Sequence, residues 1–213
     1  MSPEAVIQWL RVDGLPSPKA LCQDNISFIT NAINQCYTSH SCSAQYSTDF
    51  VPTRLLDLRA TPYDTPMLVI TSTCPDTITK YAALSYCWGP DEDSKLQLKT
   101  SASTLRDRMK GIPVASMSPV MRDSVEVCRA LSIRHLWIDS VCIIQGDTVD
   151  WDRESQVMGK IFMNSHVTIC AVASASCMEG FLHRQPQRFP IQFRGHSGLP
   201  VMVLATSQRT LWN

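Results

Sequence analysis

Apolar residues fall in short blocks along this chain, and the spacing within the blocks changes from one to the next. Over residues 24 to about 38 they recur at Ile26, Ile29, Ile33 and Tyr37, a helical period whose start Asp24 or Asn25 can cap. Two strand-like runs, 54–58 and 67–71, flank a turn containing Pro62 and predict a hairpin. YAALSYCWG at 81–89 and HLWIDSVCIIQ at 135–145 each read as a short buried strand that breaks off into polar and aromatic side chains. The text between them, from 90 to about 117, is polar, with one weak helix expected near 101–110. Ser118 as N-cap and Pro119 as first helical residue then open a firmer helix. Its inward face carries Met121, Val125 and Cys128. A helix over about 150–165 and a strand over 167–173 follow. GFLHRQPQRFP reads as a loop, and LPVMVLA at 199–205 as a last strand.

Strand, helix, strand, helix, strand predicts an α/β layer with a parallel sheet flanked by helices, to which the N-terminal helix and the β-hairpin are additions. Residues 1–23, with Pro3, Pro16 and Pro18, read as an extended lead-in, and 24–213 as a single domain. Ligands of open α/β sheets gather outside the carboxyl ends of the strands. Ser85, Tyr86, Trp88, Asp139, Ser140 and Gln145 would line that rim.

The helix near 150–165 carries an acid on the wrong side. At about 100° per residue, Trp151, Met158, Ile161 and Phe162 form one apolar stripe, while Asp152, Arg153, Gln156 and Lys160 face solvent. Glu154 projects into the stripe. A carboxylate there must be paired, hydrogen-bonded or protonated, because leaving it bare costs several kcal/mol. Two roles fit: a first-turn acid that favours the helix dipole, or a site acid tuned by burial. Asp139 has the same two readings, a turn cap or a pocket carboxylate. Trp88 and Trp151 can pack in the core or serve as aromatic platforms.

Composition narrows the field. Nineteen basic and nineteen acidic residues in 213 leave no net charge, so no bulk field favours nucleic acid or an anionic membrane. The first residues lack the apolar core of a signal peptide, and no apolar run approaches a membrane span. A cytoplasmic location is expected. Nine cysteines make an odd count, and Cys87, Cys128, Cys142 and Cys170 sit in apolar runs, which predicts buried reduced thiols. Cys36, His40 and Cys42 approach metal-ligand spacing, but Cys22 and Cys74 do not complete a tetrahedral set, so no metal is expected. Cys142 has no basic neighbour in sequence to activate it.

Taken in order, CYTSHSC, FVPTRLLDL, YAALSYCWG, SPVMRDSVEVCRALSIRHLWIDSVCIIQGD, DWDRESQVMGKIFMNSHVTICAVAS and EGFLHR resemble the fungal heterokaryon-incompatibility (HET) domain over roughly 33–184, with a motif core at 81–184. The resemblance implies a cytoplasmic fungal protein of non-self recognition and programmed cell death. It also implies a fold similar to the Toll/interleukin-1 receptor (TIR) domain, a flavodoxin-like parallel sheet flanked by helices. In TIR domains that cleave NAD, a Glu follows a Trp on a helix near the substrate pocket. Trp151 and Glu154 resemble that pair, one residue closer together than the usual Trp-x-x-x-Glu. On this likeness Glu154 is the expected catalytic residue, with Ser85, Tyr86, Trp88, Gly89, Asp139, Gln145 and Trp151 shaping a pocket for NAD as substrate. HET proteins usually continue into a segment reading approximately RGWTLQERLLS, so the chain is expected to be a C-terminally short version. Self-association or other death-signalling proteins are the expected partners. The alternatives are a non-catalytic self-assembling module and an accessory protein or enzyme of fungal secondary metabolism.

Overall fold

A computed structural model describes residues 19–39, 50–59, 65–74, 77–182, 188–194 and 200–206. Residues 1–18 of the lead-in, the Pro62 turn, His40 and Cys42 lie outside the described residues. Helix α1 spans Gln23–Ser39, followed by strands β1 (Arg54–Asp57), β2 (Met67–Ile70) and β3 (Ala82–Ser85). Helices α2 (Asp91–Leu96), α3 (Leu105–Lys110) and α4 (Pro119–Ala130) lead to β4 (His135–Trp137). Helices α5 (Asp139–Cys142) and α6 (Thr148–Met163) lead to β5 (Val167–Cys170), and β6 (Arg188–Arg194) pairs with β7 (Pro200–Thr206).

The expected mixed α/β architecture is present. Strands β1 to β5 form one sheet in the order β2-β1-β4-β3-β5. Strand β3 runs parallel to β4 and β5, while β1 is antiparallel to β2 and β4. The hairpin therefore extends the sheet on one side. Ala82, Ala83, Leu84, Leu136 and Trp137 are almost fully buried, as strands covered on both faces require. Because β4 and β5 lie on opposite sides of β3, the chain passes from β3 to β4 and then back across β3 to β5, so the crevice of an open sheet falls between the carboxyl ends of β3 and β5.

Helix α4 starts at the predicted Ser118–Pro119 pair, although Ser118 makes no side-chain cap bond. Its inward face buries Met121, Val125 and Cys128 as expected. Helix α6 is capped by Asp147, whose side chain accepts from the amides of Val149 and Asp150. It packs on the sheet through buried Ile161 and through Phe162, which meets Trp137 edge-on at 5.5 Å. The Tyr81 hydroxyl donates to the Ile161 carbonyl at 2.6 Å. Helix α1 buries no residue, and Tyr37 stacks on His166 at 4.9 Å. No helix among the described residues is long and apolar enough to cross a membrane.

Three expectations need correction. The connection after Gly89 holds two short α-helices and a 3-10 turn (Val114–Ser116) rather than one helix, and Asp91, Glu92 and Asp93 supply the first-turn acids that favour the added α-helical start. Part of the supposed loop after Ser174 is strand β6, paired along its whole length with β7. Cys87 and Cys170 are exposed, since both lie where β3 and β5 leave the sheet, whereas Cys128 and Cys142 are buried as read.

Candidate functional site

The carboxyl ends of β3 and β4 bring Tyr86, Trp88 and Asp139 together. The Trp88 indole donates to Asp139 Oδ2 at 2.8 Å, and the Ser140 amide donates to Oδ1 at 2.6 Å. The Tyr86 hydroxyl lies 2.8 Å from Gln97 Oε1 and 3.1 Å from Ser140 Oγ. Burial pushes the Asp139 carboxyl above the usual carboxylate range, against the pull of its Ser140, Trp88 and Tyr86 bonds. Burial also raises the Tyr86 phenol, helped by the charge of Asp139. The Lys99 ammonium sits 5.0 Å from the Trp88 ring centroid, a cation–π contact at the mouth of the group. The result is a half-buried acid held between an indole and a phenol.

The remaining rim residues play different parts. Ser85 is exposed at the end of β3, and its carbonyl accepts from the Ala171 amide at 2.9 Å. Gly89 has φ of +81°, and a Cβ there would lie 2.6 Å from Ser176 Cβ. Only glycine meets both demands. Gln145 turns inward on its own segment, donating to the carbonyls of Ile143 at 3.1 Å and Asp139 at 3.4 Å. It braces the loop behind Asp139.

Glu154 is buried as its position in the stripe required, at 1% exposure. Its carboxylate joins a separate ion cluster. Arg54 Nη2 is 3.6 Å and Arg153 Nε 3.3 Å from Glu154 Oε1. Arg54 Nη2 also bonds Asp150 Oδ2 at 2.5 Å, and Arg153 pairs with Asp150 Oδ1. Asp150, 4% exposed, accepts from the Ile144 amide at 2.8 Å as well. Burial alone would raise the Asp150 carboxyl, yet the Arg54 bond, the Ile144 amide and both guanidinium charges carry it below its ordinary value. Trp151, expected in the stripe, is 48% exposed. The buried face of α6 runs through Asp150, Glu154 and Ile161, which turns Trp151 outward.

Sequence reasoning missed Arg54 and Asp150. Asp150 sits four residues before Glu154, one turn along the same face, and that spacing was the available signal. Arg54 heads a strand with all four residues buried, and a buried Arg demands a buried acid. Burial pushes the Cys142 thiol up to about 12, which leaves it inert as a nucleophile. Among the described residues no group of His, Cys, Asp and Glu side chains could hold a metal ion.

A family model described as heterokaryon incompatibility protein (HET) matches residues 81–198. That segment contains the Tyr86–Trp88–Asp139 group and all of α6. Comparison with curated proteins and with solved structures gave no match.

Proposed function

The chain belongs to the heterokaryon incompatibility family, and on that premise we propose that it acts in the fungal cytoplasm in non-self recognition leading to programmed cell death, with the rim beyond β3 and β4 as its ligand site and NAD as its substrate. The observation that carries this reading is the convergence of Tyr86, Trp88 and Asp139 at the carboxyl ends of β3 and β4, beside the switch point of the sheet. An indole beside a desolvated carboxylate suits a nucleoside, whose ring stacks and whose ribose hydroxyls donate.

Cleavage would break the bond between ribose C1′ and the pyridinium nitrogen. The bonding pair leaves with nicotinamide, which becomes neutral, and the positive charge passes to an oxocarbenium-like ribose. A nearby carboxylate stabilises that charge. Water then adds at C1′ and releases a proton, giving ADP-ribose. Two acids are available: Asp139 on the rim, and Glu154, whose cover is the 57%-exposed Arg153.

The way Glu154 is held favours a second reading, a non-catalytic module that signals by self-assembly. An acid paired with two guanidiniums is already satisfied, and Val149 and Trp151 beside it expose apolar surface at 75% and 48%. Purified protein at high concentration, incubated with NAD, separates the readings. Nicotinamide release that falls in Asp139→Asn or Glu154→Gln supports the enzyme. No release, with cell death undiminished in both variants, supports the assembly module and removes the enzyme.

A further inference from the structure

The cluster around Glu154 draws its buried cation from outside the segment that the family model matches. Arg54 opens β1, ahead of residue 81, and its side chain is 6% exposed. Its Nε donates to the Cys142 carbonyl at 2.6 Å, and its Nη2 contacts Asp150 and Glu154. Asp150 in turn holds the Ile144 amide. Arg54 and Asp150 thus grip the stretch from Cys142 to Ile144, and that stretch follows directly from Asp139 and is braced by Gln145.

We propose that Arg54 is a positioning residue for the rim: the hairpin supplies the buried counter-charge that holds Asp150, Glu154 and the segment behind Asp139 as one unit, so the site is complete only with the hairpin in place. The inference goes beyond NAD cleavage and stands whether or not that reaction occurs. Arg153 cannot replace Arg54. Its guanidinium lies largely in water, where solvent and salt screen it, and its bonds go to Asp150 and Glu154. Lysine cannot replace it fully either, because one ammonium does not reproduce a fork that serves a carbonyl and a carboxylate together. The other ionisable groups near the cluster are the Cys142 thiol, which feels the charges of Arg54 and Glu154, and Asp139, which acts on that thiol. Neither is a cation.

The Asp150 carboxylate gives the proposal a signature in pH. With Arg54 present, Asp150 has a lowered pKa, so its contribution to stability is present above the ordinary carboxylate value and is lost only as pH falls below it. Without Arg54, Asp150 stays buried but loses its buried cation, and burial raises a carboxyl. The folded variant then takes up protons that the unfolded chain does not, and gains stability as pH falls from neutral toward the carboxylate range. Packing lost from the Arg54 side chain would not depend on pH.

The test is thermal and urea unfolding of the full chain as wild type, Arg54→Met, Arg54→Lys, and the triple variant Arg54→Met/Asp150→Asn/Glu154→Gln. The expected result is an Arg54→Met deficit in midpoint that shrinks by at least half between about pH 7.5 and pH 5, with Arg54→Lys intermediate. The triple variant should recover most of the deficit at neutral pH, since neutralising a whole buried pair costs less than removing one partner. A deficit independent of pH and not recovered in the triple variant would overturn the proposal. If Arg54→Met fails to fold, the triple variant decides alone: restored folding supports the inference, and continued failure overturns it.

Discussion

Replacing Trp88 with Phe removes one donor from Asp139 while leaving most of the ring. The indole bond to Asp139 Oδ2 is 2.8 Å long, and the Ser140 amide keeps its own bond to Oδ1 at 2.6 Å. A hydrogen bond to a charged group contributes about 1.5–3 kcal/mol. Weakening the Lys99 contact over the ring adds a few tenths, since exposed cation–π contacts are worth about 0.5–1 kcal/mol in full. The expected loss is about 2 kcal/mol at neutral pH, or roughly 4–8 °C in Tm for a domain of this size. The loss should depend on pH. The Asp139 carboxyl already lies above the ordinary range because it is buried, and without its indole donor it should rise further. Wild type gains stability from this group as pH falls through its raised folded value toward the unfolded one, and Trp88→Phe should gain more. Once the acid is protonated the bond is of the neutral kind, about half as strong, so the gap should narrow to about 1 kcal/mol near pH 4. Urea unfolding at a series of pH values measures it. A gap below about 0.5 kcal/mol, or one unchanged from pH 7 to 4, would show that the indole does not hold an ionised Asp139.

Gly89→Ala should cost about 2–4 kcal/mol, combining a positive φ with a Cβ 2.6 Å from Ser176 Cβ, whereas Gly146→Ala, at φ of +84° with nothing within 4 Å, should cost about 1–2 kcal/mol. Equal losses in urea unfolding would show that the contact with Ser176 carries no weight. Asp57→Asn should destabilise at neutral pH, because Asp57 holds Arg134 through two bonds of 2.9 Å. Burial opposes ionisation of Asp57, but Arg134 and the Arg59 amide bring its pKa below 3.8. Its stabilisation is therefore full above that value and lost beneath it. The wild-type advantage should close only in strong acid, and an advantage that closed between pH 7 and 5 would contradict the pairing.

The strands were legible because their apolar blocks are short and end in polar breaks: β3, β4 and β5 lie where the sequence predicts, and so does the hairpin. Glu154 was legible as an inward acid because helical spacing fixes its angle whatever its partner. Its partner was not. Arg54 and Glu154 are a hundred residues apart in sequence, and only the antiparallel addition of β1 beside β4 brings them together. Trp151 misled because an apolar side chain in the first turn fits the stripe on spacing alone. Burying Asp150 and Glu154 turned the helix by part of a residue step and put the indole in solvent. Cys87 and Cys170 misled for a related reason, since an apolar run does not say where its strand leaves the sheet.

The central claim, that the rim beyond β3 and β4 binds a nucleotide, is tested most directly by titrating NAD into isotope-labelled protein and following the tryptophan indole N–H signals. A saturable shift of the Trp88 signal is predicted, with buried Trp137 unmoved and the response lost in Asp139→Asn. A Trp88 signal that stays still at millimolar NAD, or a response confined to Trp151, would contradict it.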